Sequence, residues 1–189
     1  MRKNGIISGY AANTNQGIIR DYNEDRVSII LNIMKPPSKK CDNWPKCAFF
    51  GVFDGHGGYS CADFLRDNLH QFIIRDAEFP DNPKQAIING FRNAETYFLE
   101  AVEKFSNGNI NMLDKSGSCA ITSLFVGKEH SYLTVWFIDD MVYIANVGDS
   151  RALMSADGGN YNISLSRDHK PNDELETKRI VEAGGRIYQ

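Results

Sequence analysis

The chain has 189 residues, 42% hydrophobic and 24% charged, with a formal net charge of −3. That is the balance of a soluble globular protein with room for one sizeable core. The mildly acidic charge, the lack of a long basic run and the lack of any apolar stretch of transmembrane length argue against nucleic-acid binding and against a membrane protein.

Met1-Arg2-Lys3-Asn4-Gly5 has a basic flank but no apolar segment behind it, so no secretory leader is expected. The cysteines are Cys41, Cys47, Cys61 and Cys119, with no Cys-x-x-Cys pair among them. Reduced thiols in a cytoplasmic or nuclear setting are the expectation.

In chain order, Ile6–Ala12 and Arg26–Ile33 read as early strands separated by a polar stretch. Residues 35–46 hold three prolines and read as a surface loop. Ala48–Phe53 is apolar on both faces and reads as a central strand. Over Tyr59–Arg75 the period becomes helical, with Ala62, Leu65, Leu69, Phe72 and Ile73 on one stripe. Pro83 opens a second helix whose stripe runs through Ile87, Phe91, Ala94, Phe98, Ala101 and Phe105, and Gly108 with its neighbouring asparagines ends it. The second half predicts short strands over Cys119–Val126, Ser131–Ile138, Val142–Asn146 and Arg151–Met154. The turns between them are expected at Gly127-Lys128-Glu129, Asp139-Asp140 and Gly148-Asp149. Asp173–Ala183 reads as a final helix stopped by Gly184-Gly185. Strands, then helices, then a meander predict an α+β protein with helices on an antiparallel sheet or sandwich.

Three acidic clusters fall at breaks between strands: Arg20 with Glu24 and Asp25, then Asp54-Gly55-His56, then Gly148-Asp149-Ser150-Arg151. Hard divalent cations take carboxylate, carbonyl and water oxygens. Asp54 has two oxygens with which to bridge ions, Gly55 offers an unobstructed carbonyl, and Glu24 can complete a shell. The planar guanidinium of Arg20 matches two phosphate oxygens, and His56 supplies an imidazole, the kind of side chain suited to protonating a leaving alkoxide. Each cluster alone also reads as an ordinary feature. Asp54-Gly55 and Gly148-Asp149 are turn signals, and Arg20 with Glu24 fits an exposed ion pair. Their joint presence favours metal-assisted phosphoryl transfer.

The motifs Phe53-Asp54-Gly55-His56-Gly57-Gly58, Ser116-Gly117-Ser118-Cys119-Ala120 and Ala145–Ala152 follow Arg20 and Glu24-Asp25 in order. Leu165–Pro171 and Glu182–Gly185 complete the series. In this order the chain resembles the metal-dependent protein serine/threonine phosphatases of type 2C, from Gly17 to Gly185. The resemblance implies an antiparallel β-sandwich flanked by helices, with residues 1–189 forming the N-terminal portion of one catalytic domain without internal boundary. It implies two Mn²⁺ or Mg²⁺ ions, and a water they activate attacking phosphoserine or phosphothreonine of a protein substrate with no phosphoenzyme. Arg20 then holds the phosphate and His56 is the general acid. Glu24, Asp54 and the Gly55 carbonyl map onto one metal site, Asp54 bridges to the other, Asp149 maps onto a weaker third position, and Asp25 stands behind the ligands. A monomer is expected, with no nucleic-acid or membrane partner.

The chain departs from the family pattern in two places. Cys119 stands where a threonine is usual, which is expected to be tolerated because both side chains are small. Two further aspartate motifs of the family, of Arg-Ala-x-Gly-Asp and Asp-Gly-x-x-Asp type, do not occur in these residues. On that ground the fold is expected to be incomplete on its C-terminal side and the chain alone weakly active or inactive. The alternative is a non-catalytic phosphatase-like binding module.

Overall fold

The computed structural model describes residues 7–109, 113–132 and 135–188. In chain order its elements are β1 (Arg26–Ile30), β2 (Lys46–Phe53), β3 (Gly55–His56), α1 (Ser60–Arg75), α2 (Pro83–Ser106), β4 (Gly117–Ser118), β5 (Ala120–Tyr132), β6 (Val135–Val147), β7 (Leu153–Ala156), β8 (Tyr161–Ser164) and α3 (Glu174–Glu182). The class is α+β, with antiparallel sheets and helices packed outside. The main sheet has four strands in the order β1-β2-β5-β6, and the pairs β3-β4 and β7-β8 form two-stranded ribbons.

Period-two alternation divides the main sheet into two faces. Cys47, Phe49 and Phe53 of β2 join Leu124 and Val126 of β5 in the core beneath the helices. The helices meet them with Ala62, Leu69, Ile73 and Ile74 of α1 and Ala86, Ile87 and Ala94 of α2. On the opposite face Phe50 and Phe125 pack edge to face, with centroids 5.8 Å apart, and Tyr10 lies 6.4 Å from Phe50. Among the described residues, no helix is long and apolar enough to cross a membrane.

α2 is capped as its sequence predicts: Pro83 is at its start and the Asn82 side chain accepts the Gln85 N–H. Its stripe is buried at Ile87 and Ala94, but Phe105 is 86% exposed because the last turn runs past the layer that covers the rest. α3 is capped by Asp173, whose carboxylate accepts the N–H groups of Leu175 and Glu176.

Three expectations fail. The strand over Ile6–Ala12 is irregular from residue 7 to residue 12. That segment meets the open face of the sheet through Tyr10 instead of joining a ladder. The turns at Gly127-Lys128-Glu129 and Asp139-Asp140 do not form. Those positions face one another in register, Gly127 opposite Asp140 and Lys128 opposite Asp139, within a hairpin of two 13-residue strands. β5 ends at Tyr132 and β6 begins at its register partner Val135, and residues 133 and 134 lie outside the described residues. β8 carries no strand expectation at all, although Asp157-Gly158 between β7 and β8 is a turn signal and both residues adopt positive φ.

Candidate active site

The site grows from the end of β2. Gly55 pairs with Ser118 and His56 with Gly117 in the short β3-β4 ribbon. The Cys119 N–H donates to the Asp54 carbonyl at 2.9 Å. These bonds set the Asp54-Gly55-His56 motif against the Ser116–Cys119 motif, some sixty residues away in the chain. Space dictates two glycines here. A Cβ on Gly55 would sit 2.4 Å from the Glu24 carbonyl oxygen, and one on Gly117 would sit 2.4 Å from His56 Nε2. So Glu24 closes over the main chain of Gly55, and the imidazole lies directly on Gly117.

Glu24 also serves α1. Its carboxylate accepts the Gly58 N–H at 2.6 Å, and Ser116 Oγ accepts the Cys61 N–H at 3.0 Å. Tyr59, at the cap position, supplies no side-chain bond. Ser116 therefore satisfies one donor of the first turn of α1, while Glu24 fixes the backbone just ahead of the cap position. Arg20 stands 3.8 Å from Glu24, and its side chain is 76% exposed against 13% for Glu24. The guanidinium faces solvent at the mouth of the site.

Asp54 is the electrostatic centre. Its carboxyl is held above the ordinary value of 3.8, first by desolvation, then by the negative charges of Asp25 and Asp149; His56 and Arg20 pull it the other way. Of the six predicted site residues that carry charge, Asp25, Asp149, His56 and Arg20 act on Asp54, and Glu24 stands beside Arg20. The remaining predicted residue, Gly55, is buried between Glu24 and Ser118.

Asp149 is held by a second set of contacts. Lys170 Nζ lies 3.9 Å from it, and the His169 N–H donates to the Gly148 carbonyl at 2.9 Å. Arg151 grips Asp168 through two bonds of 2.9 and 2.8 Å. Asn146 Nδ2 donates to the carbonyls of Gly148 and Arg167 at 3.0 and 2.8 Å. The Gly148–Arg151 and Arg167–Lys170 motifs, separate in the chain, form one latch.

Cys119 is the residue that the sequence undervalues. Ligand atoms of Asp54, Cys119 and Asp149 all lie within 4.8 Å of one another. The thiol is 3.5 Å from Asp149 Oδ1. Burial raises its pKa above the usual thiol value. The only signal in the sequence was its place inside an ordered motif.

The donor set fits a divalent cation. Two carboxylates and a thiol converge, and the Asp54 carboxyl is raised first by desolvation and then by the negative charges of Asp25 and Asp149, a surrounding that a bound cation would relieve.

Comparison with known proteins agrees with this architecture. The solved structure of a phosphatase from a pathogenic strain of Toxoplasma gondii superposes with a TM-score of 0.54 at 22% identity, over 90% of this chain and 56% of that one. The fold is thus one used by phosphatases. The family model described as Protein phosphatase 2C matches residues 11–189. The rice protein named Probable protein phosphatase 2C 7 is 40% identical over 148 residues, which is 78% of this chain and 33% of the relative. Rice Probable protein phosphatase 2C 56 is 33% identical over 193 aligned residues, 97% of this chain and 47% of the relative. The chain belongs to the protein phosphatase 2C family. It spans between a third and a half of the length of these curated relatives.

Proposed function

We propose that the protein hydrolyses phosphoserine and phosphothreonine in phosphoproteins, acting as a monomer with Mn²⁺ or Mg²⁺ held at the Asp54 corner. The observation that carries this is the meeting of Asp25, Asp149, His56 and Arg20 around the Asp54 carboxylate. Family membership supports the reaction class.

Glu24, Asp54, the Gly55 carbonyl and Asp149 would hold the ions, with Asp25 behind them. When bound, divalent cations supply an activated water and neutralise charge at phosphorus. The protein's own groups do the rest. Arg20, exposed at the mouth, takes two phosphate oxygens and aligns the ester. An oxygen–phosphorus bond to water forms as the bond to the serine or threonine oxygen breaks. His56 passes its proton to that departing oxygen. No side-chain nucleophile is needed, so no phosphoenzyme forms.

The test is phosphate release from a phosphothreonine peptide by the full-length protein, with Mn²⁺, with Mg²⁺ and with chelator. Metal-dependent turnover that Asp54→Asn abolishes is the expected result. Tight metal binding by calorimetry with no turnover would replace this function with that of a phosphatase-like binding module.

A further inference from the structure

Cys119 brings sulfur to a site otherwise made of oxygen. Its Sγ and a carboxylate oxygen from each of Asp54 and Asp149 lie within 4.8 Å of one another, the one such group of three among the described residues. On a tetrahedral zinc-like ion, with bonds of about 2.1 Å to oxygen and about 2.3 Å to sulfur, neighbouring ligand atoms stand roughly 3.4 to 3.6 Å apart. The 3.5 Å between Cys119 Sγ and Asp149 Oδ1 already has that spacing. The other two edges of the group are no longer than 4.8 Å.

The backbone is arranged for this approach. The Cys119 N–H is anchored on the Asp54 carbonyl at 2.9 Å, so the two residues are held together by the main chain. Gly148 adopts a φ of +100°, and a Cβ there would sit 2.4 Å from Cys119 Sγ. The loop carrying Asp149 therefore reaches the sulfur only because residue 148 is glycine. Thiolate is a soft donor and favours zinc-class ions over Mg²⁺ and Mn²⁺.

We propose that Cys119, with Asp54 and Asp149, forms a mixed sulfur–oxygen site that selects thiophilic divalent cations such as Zn²⁺ and Co²⁺. This rests on the metal-binding role proposed for Asp54 and Asp149. Ligation releases the thiol proton to solvent. Because Asp54 belongs to both sets, a zinc-class ion bound here competes with the hard cations for the same carboxylate.

Co²⁺ titration of the full-length protein, followed by absorption, is the test. The wild type is expected to show visible ligand-field bands together with an intense near-ultraviolet sulfur-to-cobalt charge-transfer band. Cys119→Ser is expected to lose that band, to weaken Zn²⁺ binding by at least about tenfold, and to bind Mg²⁺ as before. Cys119→Thr, checked for folding by circular dichroism, must behave as the serine variant does. Ligand-field bands in the wild type without the charge-transfer band would overturn the cysteine ligand and leave the hard-cation site standing. A charge-transfer band that survives in both variants would assign the sulfur to another cysteine and overturn the proposal. No binding of Co²⁺, Zn²⁺ or Mn²⁺ by the wild type would overturn this proposal and the metal role of Asp54 together.

Discussion

Partial desolvation raises the Asp54 carboxyl most, and the like charges of Asp25 and Asp149 add to it. Because its folded pKa is raised, its stabilising contribution is complete below the ordinary 3.8 and is lost as pH rises through the raised value. At neutral pH the carboxylate is therefore a net cost to the metal-free fold, the usual bargain of a functional site. Asp54→Asn is predicted to raise the melting temperature of the chelator-treated protein at pH 7. The gain should vanish below the ordinary carboxyl range, where the wild-type group is already neutral. Thermal melts at both pH values check it, and metal affinity should rise with pH through the same interval as protons leave Asp54. His56 makes a different prediction. If it protonates the leaving oxygen, His56→Ala should slow phosphothreonine hydrolysis by about 10²- to 10⁴-fold. An aryl phosphate, whose leaving group departs without a proton, should lose far less. Equal losses on both substrates, compared by steady-state kinetics, would exclude the acid role.

The helices differ in how they begin, and that difference decides what was legible. α2 and α3 carry their caps in the adjacent sequence, at Asn82 with Pro83 and at Asp173. α1 borrows its first-turn side-chain bond from Ser116, and Glu24 holds the residue ahead of its cap. Its period could be read from Ala62, Leu69 and Ile73, but the residues that close its first turn could not. α1 and α2 meet at Gly90, where a Cβ would stand 2.6 Å from Ile73 Cγ1 and 3.1 Å from the Ile73 main chain. Gly90→Ala should therefore cost about 1–3 kcal/mol through overpacking, despite the better helix propensity of alanine. Chemical denaturation measures it, and turnover per folded molecule should change little because neither Gly90 nor Ile73 touches the Asp54 carboxylate or its charged neighbours. The hairpin was misread for a related reason. Gly127 and Asp140 are turn-type residues, yet they face one another across a ladder. Two plausible local turns gave way to one reversal further out.

Across the whole molecule, the ion pair of Arg151 with Asp168 ties the loop carrying Asp149 to the segment before α3. The pair is exposed on the Arg151 side, so Arg151→Ala should leave global stability almost unchanged. It should nevertheless weaken metal binding at Asp149, because Lys170 and His169 reach that loop through the same latch. Calorimetric metal titration beside a thermal melt separates the two effects. A second whole-molecule feature is the open face of the main sheet, where Val52 is 45% exposed beside the Phe50 and Phe125 pair. The sequence marked β2 as apolar on both sides, and the structure shows one side covered by helices. By itself the sequence determined the α+β class, the bodies of the three helices, the central strand and the ordered motifs around Arg20, Asp54, His56 and Asp149. Those are written in periodicity, caps and contiguous residues, which neighbours in the chain enforce. Only the tertiary structure decided that the two long strands pair through Gly127 and Asp140, that Ser116 closes the first turn of α1, and that Cys119 stands beside Asp54 and Asp149. Each of these depends on strand register and on contacts between residues tens of positions apart, and no local pattern of side chains carries that information.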